Sequence, residues 1–485
     1  MHFISRTQPS TNGTARHRGA GCRCRRAIGF VALALVLGCG TNAALADTDN
    51  APQGFWQRDT LLGDMGGVRP WLGTYGVTFS LSEISEILGN VTGGIHTGAE
   101  YDGLTTMGLS LDTDKAFHWS GGTFNVSALQ LHGRNLSADN LDNLQTVSGI
   151  ESNRATRLWE LWYDQAFLDG KADVKLGQQS IDQEFIASQY SALFVNTMMG
   201  WPMVPSADLY AGGPAYPLSS PGIRLRAQPT DAVTLLAGVF DDNPPGGPFA
   251  NDSQLRDGEA SGTRFNLGTG ALWIGEIQYA VNQSPAKTCG SVVCGLPGTY
   301  KLGAWYDTAG FPDQRYDNTG LSLANPASSG TARTDRGNFS LYGVVDQMVW
   351  RQTGGPRSIG VFARLMGAPS DRNQIELSLN TGVDVKAPLP GRDDDTCGIG
   401  YGLAQVSDSA SALDRDQATF GNPVPVRGME HFVELTYQYQ VAPWWQLQPD
   451  FQYVINPGGG IQNPLNTTQT VGDEAVIGLR TTITF

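Results

Sequence analysis

The last twelve residues, Glu474 to Phe485, alternate apolar and mostly polar side chains with a period of two. Successive side chains of a β-strand point to opposite faces, so this pattern predicts a strand with one apolar and one polar face. The final residue, an aromatic one, falls on the apolar face. That face carries Ala475, Ile477, Leu479, Thr481, Ile483 and Phe485.

Two earlier runs, residues 433–441 and 445–455, alternate in the same way, and only Ala442, Pro443 and Trp444 separate them. Such a short connection between two alternating runs predicts an antiparallel hairpin. Each run has about ten residues, the length of a tilted membrane strand, whereas strands of soluble sandwiches have about five or six. The amide-rich face is expected to meet water and the aromatic face lipid.

Further alternating runs upstream bring the count to sixteen, an even number that suits a closed antiparallel barrel. Closure is required because an open edge leaves unpaired backbone groups in hydrocarbon. We therefore predict an all-β, outer-membrane antiparallel β-barrel of about 16 strands over residues 76–485, closed by the C-terminal strand ending in Phe485. Slips in the alternation within 76–89 and 122–133 predict bulges there; the alternative is that the register assigned to these two runs is wrong. The upstream runs are 76–89, 105–117, 122–133, 156–169, 171–182, 221–230, 231–241, 270–282, 298–311, 339–351, 358–368, 374–386 and 395–408.

Residues 1–46 are predicted to be a cleaved signal peptide. They contain six arginines and no acidic residue, then an apolar run over 28–37, and end with Ala44-Leu45-Ala46. Lipid attachment at Cys39 and twin-arginine export are the alternatives for this leader. Export of a barrel predicts the outer membrane of a Gram-negative cell as the destination, and a terminal strand ending in Phe is typical of the signal read by the barrel-assembly machinery.

Charge excludes several classes of function. Only 16% of the residues are charged, below the usual ~25%. Without the leader, the 32 basic residues become 26 against 46 acidic ones, a net charge of 26 − 46 = −20. Such a chain is not expected to bind nucleic acid, which needs basic patches. Cys289 and Cys294 are close enough in sequence to pair, which leaves Cys397 alone.

Two segments fall outside the strand rhythm and bear on function. Residues 47–75 are predicted to lie in the periplasm or in the lumen. Residues 183–220 are too long for a turn and hold several prolines and aromatic side chains. We predict that they fold inward as a constriction loop; the alternative is an ordinary outer loop that packs on itself.

Several motifs resemble the carbohydrate-selective porins of the OprB family. The run 61–69, LLGDMGGVR, looks like that family's opening motif, although Met65 stands where the family usually has Trp. The run 448–459, QPDFQYVINPGG, matches a motif near the family's C-terminus. The resemblance extends from about residue 55 to 485 and implies a sixteen-stranded barrel, a sugar-permeable channel and a potential homotrimer.

A porin selects solutes by the size and charge of a constriction. Alternation places Arg224 and Arg226 on the lumen face. The planar set of N–H donors of each guanidinium suits hydrogen bonding to sugar hydroxyls. Carboxylates accept from such hydroxyls, and tryptophan rings stack on sugar rings. The alternative for any of these charges is pairing across the wall. The candidate constriction residues are Glu160, Trp162, Asp164, Arg224, Arg226, Trp305, Arg364, Glu434 and Arg480.

The predicted function is passive diffusion of small hydrophilic solutes, chiefly carbohydrates such as glucose, through the outer membrane. Outer-membrane lipid and lipopolysaccharide are the expected surroundings. No hydrolase, zinc-protease or P-loop motif is present, so no enzyme activity, cofactor or metal site is predicted. A non-conducting barrel that serves as a scaffold or adhesin, and a barrel enzyme, are the alternatives.

Overall fold

A computed structural model describes residues 54–249, 259–283 and 295–485. The predicted signal peptide and the Cys289–Cys294 pair lie outside the described residues. The strands are β1 (Val77–Gly94), β2 (Gly98–Asp112), β3 (Gly122–Gly133), β4 (Ala155–Phe167), β5 (Ala172–Gln179), β6 (Ser220–Thr230), β7 (Val233–Asp241), β8 (Ala271–Val281), β9 (Gly298–Asp317), β10 (Ala332–Arg351), β11 (Ser358–Gly367), β12 (Ile375–Lys386), β13 (Thr396–Val406), β14 (Met429–Ala442), β15 (Trp445–Ile455), β16 (Gln462–Asn463), β17 (Asn466–Thr470) and β18 (Gly472–Thr484). The α-helices are α1 (Val68–Thr74), α2 (Thr113–Phe117), α3 (Thr197–Gly200), α4 (Met203–Asp208) and α5 (Asp408–Thr419).

Sixteen strands form a closed antiparallel barrel, which confirms the predicted fold. Each strand from β1 to β15 pairs with its sequence neighbour, and β18 closes the barrel between β15 and β1. The strands β16 and β17 form a separate small hairpin in the connection that leads to β18. The bulge predicted in 122–133 lies on the neighbouring strand: the β3–β4 register shifts between Val126 and Ala128, and the extra residue is on β4, between Leu158 and Leu161. The one predicted within 76–89 is wrong, because the shifts in β1 lie beyond it, between Asn90 and Gly94.

Side chains alternate across the barrel wall as the sequence pattern requires. On β18, Ile477 and Leu479 point outward and are exposed on the wall, whereas Glu474 and Arg480 point inward and are buried. The barrel end that holds the chain's C-terminus has mostly short connections, such as the two residues between β14 and β15. The other end carries the longest ones, such as 134–154, 180–219 and 407–428. This asymmetry is typical of outer-membrane barrels, whose short turns face the periplasm and whose long loops face the outside.

Two long connections fold into the barrel, and we name them loop A (134–154, between β3 and β4) and loop B (180–219, between β5 and β6). Apolar side chains of loop B, including Phe185, Met199 and Trp201, pack with inward-facing side chains of the wall, such as Phe362 and Phe432, in one buried cluster. No helix in the described ranges is long and apolar enough to span a membrane.

The N-terminal segment, residues 54–75, lies against the rim at the periplasmic end. The Leu61 backbone N–H donates to the Thr484 carbonyl oxygen at 2.7 Å, and the Trp444 indole N–H donates to the Phe55 carbonyl oxygen at 3.0 Å. The segment is therefore fastened to the last residues of β18 and to the β14–β15 turn. Residues 47–53 lie outside the described residues.

Candidate functional site

Loop B is held inside the lumen by acidic side chains of the opposite wall. Glu434 on β14 accepts hydrogen bonds from the backbone N–H groups of Val195, at 2.5 Å, and Asn196, at 3.2 Å. Asp346 on β10 accepts one from the Ser188 hydroxyl at 2.6 Å. Both side chains are buried, and a buried acceptor that lost its hydrogen-bond partner would destabilise the fold. The wall thus fixes the backbone of loop B at separate points around the barrel.

Arg364 on β11 binds loop B from the same side. Its guanidinium donates to the carbonyl oxygens of Ile186 at 3.1 Å, Gly200 at 3.0 Å, Met199 at 3.0 Å and Met198 at 2.5 Å. One arginine therefore satisfies acceptors at both ends of the stretch 186–200. Because its donors are used in this way and its side chain is buried, the structure assigns Arg364 an anchoring role for the loop.

Loop A also enters the lumen, which the sequence analysis missed. Glu430 on β14 accepts from the backbone N–H groups of Leu144, at 2.8 Å, and Gln145, at 2.7 Å. On the adjoining wall, Arg480 donates to Glu86 at 2.7 Å and to the Ser148 hydroxyl at 3.2 Å. Inward-facing carboxylates at several levels of the barrel were the available signal, because buried carboxylates need donors that a strand's own backbone does not supply.

The two loops are bound to each other as well as to the wall. The Gly149 N–H donates to the Val195 carbonyl oxygen at 2.8 Å, and the Thr146 hydroxyl donates to the Thr197 hydroxyl at 2.6 Å. Loop A and loop B therefore form one layer inside the barrel.

Glycines on the inner face of β13 make room for this layer. A Cβ added at Gly398 would lie 2.8 Å from a methyl carbon of Leu193, and one at Gly400 would lie 2.7 Å from the methyl carbon of Met199. Any larger residue there would meet the loop. Alternate glycines on a strand thus mark the position where a second layer approaches the wall.

A cluster of ionisable side chains lies on β4, β5 and β6 and at the start of loop B. Arg224 is its centre: it pairs with Asp173, with Glu184 at 2.7 Å and with Asp164 at 3.7 Å. Arg226 pairs with the second oxygen of Asp173 at 2.5 Å. Arg224 is only 4% exposed, whereas the side chains of Asp164 and Glu184 keep 21% and 23%. The two predicted arginines therefore share the acidic partners of the wall, and the more accessible members are Asp164, Glu184 and Arg226, whose side chain keeps 27%.

Lys175 on β5 and Trp162 on β4 complete this cluster. The Lys175 ammonium contacts Glu184 and lies 4.5 Å from the centre of the Trp162 ring, a cation–π geometry. Glu160 accepts from the Ser180 N–H at 3.2 Å, where β5 passes into loop B. Lys175 and Glu184 are not among the residues predicted from the sequence. For Lys175 the available signal was its alternation with outward-facing Leu176. We name this set, with Asp164, Asp173, Arg224 and Arg226, the β4–β6 cluster.

Four of the nine candidate residues lie beneath the loops, away from the β4–β6 cluster. Trp305 is 2% exposed and belongs to the apolar cluster around loop B, so its ring is not open to a sugar, and the stacking expectation is corrected. Arg364, Glu434 and Arg480 are likewise buried and bind loop backbone or wall carboxylates, as described above. These three charged side chains therefore hold the loops and pair with the wall, and they do not face a passing solute.

Glu151 of loop A has a strongly raised pKa. Burial raises the pKa of Glu151 to about 8, while the Ser137 hydrogen bonds oppose the shift and nearby Glu86 adds to it. The Ser137 backbone N–H donates to both Glu151 oxygens, at 3.2 and 3.3 Å. A buried carboxyl of this kind binds a proton at neutral pH.

Comparison with known proteins agrees with this architecture. "Porin B" of Pseudomonas aeruginosa is 26% identical over 479 residues, 95% of this chain and 96% of that protein. A solved structure titled "High pH structure of Pseudomonas putida OprB" superposes with a TM-score of 0.76 at 24% identity and covers 89% of this chain and all of that one. The corresponding low-pH structure superposes with a TM-score of 0.53 at 18% identity and covers 88% of this chain and 99% of that one. These two likenesses concern the fold alone.

The family model described as "Carbohydrate-selective porin, OprB family" matches residues 96–485, which is most of the chain. That match covers the barrel from β2 to the terminal strand, including both loops and the β4–β6 cluster. Members of this family are transport channels. The chain is therefore an outer-membrane porin that belongs to the carbohydrate-selective OprB family.

Proposed function

We propose that the protein admits small neutral sugars, of the size of glucose, by passive diffusion along the β4–β6 cluster, and other small hydrophilic solutes more slowly. The observation that carries this proposal is that loop B buries the charged side chains of one part of the inner wall and leaves those of another part exposed. Wall charges on β10, β11 and β14 are buried under loop B, whereas Asp164 and Glu184 remain partly exposed. In this proposal loop B is the constriction loop, and the exposed side of the cluster is the wall of the passage.

The chemistry of the cluster suits a neutral polyhydroxyl solute. Its cations, Lys175, Arg224 and Arg226, are each paired with carboxylates, so little net charge is left to attract or repel an ion. Partly exposed carboxylates and ammonium groups still accept from and donate to hydroxyls. A sugar exchanges hydrogen bonds with water for similar ones with this wall, which lowers the barrier to entry without holding the solute tightly.

Liposome swelling with purified, refolded mature protein tests this proposal. Entry of glucose, a disaccharide and a neutral amino acid is compared for the wild type, Arg224→Ala/Arg226→Ala and Arg224→Lys. Arg357→Ala is the matched control, because Arg357 donates to the Ala387 carbonyl at a periplasmic turn, away from the lumen. Heat-modifiable gel mobility reports that each variant is folded.

We expect glucose to enter faster than its size predicts, and this advantage to be lost in the double variant and retained in the control. Arg224→Lys should lose part of it, because an ammonium lacks the planar fork. Entry ordered by size alone in the wild type would leave a general porin without sugar preference. No entry through a folded barrel would favour the scaffold or adhesin function, and turnover of a solute would favour an enzyme.

For export and assembly, we propose that residues 1–46 are removed as a signal peptide and that the barrel-assembly machinery recognises the terminal strand. Lipopolysaccharide is the proposed lipid partner of the outer leaflet. Mass spectrometry of the protein purified from outer membranes tests the first point, since a mature N-terminus at residue 47 is expected. A mass that includes the leader, or one that carries a lipid at Cys39, would contradict it.

We further propose a homotrimer, in which a second copy covers a polar patch on the outer wall. Glu83 accepts from Thr105 at 2.5 Å and lies 3.5 Å from His132, and Ser85 contacts Tyr101 at 3.1 Å. Glu83 is the seventh residue of β1, which places it about 15 Å along the barrel axis, near the middle of an apolar band of about 25 Å. Polar groups at this depth are costly against lipid.

Light scattering of the detergent-solubilised protein tests the trimer. The wild type is expected to have the mass of three chains, and Glu83→Leu/His132→Leu is expected to shift the protein toward one chain. A wild-type mass of one chain would exclude this assembly.

A further inference from the structure

Four aromatic side chains of the N-terminal segment, in two contacting pairs, are exposed at the periplasmic rim. Trp56 and Trp71 are 59% and 58% exposed, and Phe55 and Tyr75 are exposed as well. We name these four residues the rim patch. The helix α1, which carries Trp71, has no buried residue. An exposed aromatic group of this kind in one short segment marks an interaction surface.

The rim patch is continuous with the lipid-facing wall of the barrel. The Trp56 ring stacks on Trp444 at 5.9 Å, and the Trp444 ring stacks on Trp445 at 5.9 Å. Trp445 pairs with Ile483 in the outward-facing row of β18. One ladder of aromatic rings therefore leads from the membrane wall onto the N-terminal segment.

Contacts of Arg69 place the segment on the outer side of the rim. Its guanidinium lies 5.8 Å from the centre of the Phe79 ring and donates to the Phe79 carbonyl oxygen at 3.3 Å. Phe79 points outward, because it is in phase with Ile87, which is exposed on the outer wall. Arg69 also donates to the carbonyl oxygen of Phe485, so the same side chain ties the segment to the last residue of the barrel.

The segment carries no net charge, which indicates the kind of surface it fits. Residues 54–75 contain two arginines, Arg58 and Arg69, and two aspartates, Asp59 and Asp64. Attraction to an anionic surface therefore contributes little. Tryptophan and tyrosine prefer the boundary between lipid headgroups and acyl chains, where the ring is partly desolvated and its polar atom still meets water.

We propose that residues 54–75 lie in the headgroup layer of the periplasmic leaflet, with the rim patch inserted among phospholipids, and that they fasten the C-terminal strand to the membrane surface. The partner is a phospholipid surface of zwitterionic headgroups. Insertion of this kind is insensitive to salt, because it depends on aromatic burial and not on charge. The proposal is independent of which solute the channel carries.

Fluorescence quenching by brominated phospholipids tests the insertion. The full mature protein is reconstituted into vesicles of phosphatidylcholine brominated either near the headgroup or deep in the acyl chain. Wild type is compared with Trp56→Phe/Trp71→Phe, and with Trp305→Phe as the control, because Trp305 is buried in the lumen. Phenylalanine keeps an apolar ring at each site, and gel mobility after heating confirms that the barrel is folded.

The double variant is expected to lose about a third of the emission that the shallow bromines quench. It removes two of the six tryptophans that are exposed or face lipid, which are Trp56, Trp71, Trp119, Trp273, Trp350 and Trp445. Trp305→Phe should leave the shallow-quenched emission unchanged, and 0.5 M salt, about three times physiological ionic strength, should not alter it. If the double variant showed the same amount of shallow-quenched emission as the wild type, the proposal would be overturned, because Trp56 and Trp71 of the wild type would then lie in water. Equal loss of shallow and deep quenching would also overturn it, because the rings would then lie in the acyl core.

Discussion

Replacing Arg364 by methionine isolates the contribution of one side chain to the narrowing of the lumen. Methionine fills a similar volume but leaves four carbonyl oxygens of loop B without their donor. A buried acceptor without a partner costs about 1–3 kcal/mol. Local relaxation and water are expected to satisfy some of the four, so the loop should lose about 3 kcal/mol of attachment, which raises its detached population about a hundredfold.

Single-channel recording in planar bilayers measures this effect. Arg364→Met is expected to show frequent transitions to a higher conductance level, because a detached loop B widens the passage. The barrel itself should remain folded, with unchanged heat-modifiable mobility. Arg357→Met is the matched control, since it removes an arginine–carbonyl hydrogen bond of 2.9 Å at a periplasmic turn. A variant trace identical to the wild type, at equal protein quality, would refute the anchoring role of Arg364.

Three more predictions concern the loops and the terminus. Gly400→Leu is expected to displace loop B at a cost of about 1–3 kcal/mol through overpacking, and thus to raise single-channel conductance, whereas Gly343→Leu, on the outer face, should not. Because the pKa of Glu151 is raised to about 8, folded loop A binds more protons than the unfolded chain, so its attachment should weaken from about pH 4.5 to about pH 8. Proteolysis of loop A should accelerate over that range in the wild type; Glu151→Gln should abolish the acceleration, and a variant that retained it would contradict the assignment. Arg69→Met is expected to lower the temperature at which gel mobility shifts, because the tie to Phe485 is lost; an unchanged temperature would show that the tie contributes nothing to stability.

The strands were predictable from the sequence because their pattern is local. In β14 and β15 every second residue faces lipid, and the connection between them is so short that their pairing follows from chain geometry. The ends of β9 and β10 were not predictable in this way. Both strands extend beyond the alternating part, to Asp317 and from Ala332, into a stretch rich in Gly, Asn, Asp and Pro. Pairing between the two strands, not an apolar face, holds these extensions.

In the candidate site, the pattern of a single strand predicts which way a side chain faces but not what it contacts. Alternation gives the face on which a residue such as Arg224 or Arg364 lies, but not its partners. Arg224 pairs mainly with carboxylates of neighbouring strands, whereas Arg364 binds carbonyl oxygens of a loop whose path has no periodicity. Trp305 is covered for the same reason, although its strand position alone suggested an open ring. The glycines of β13 and the inward carboxylates, Glu430 among them, were the residues that indicated an inner layer.

The attachment of loops A and B bears on how the protein reaches its final form. Their partners are far away in sequence: Gln452 on β15 donates to Val147 across 305 positions, and Gln145 donates to Glu430 across 285. Contacts of such high sequence separation form late, because the intervening chain must be brought together first. Loops A and B can therefore bind the wall only after the last strands have joined the barrel. Folding is therefore expected to pass through a closed, wide barrel, and permeability to large solutes should fall in a slower kinetic phase than strand formation.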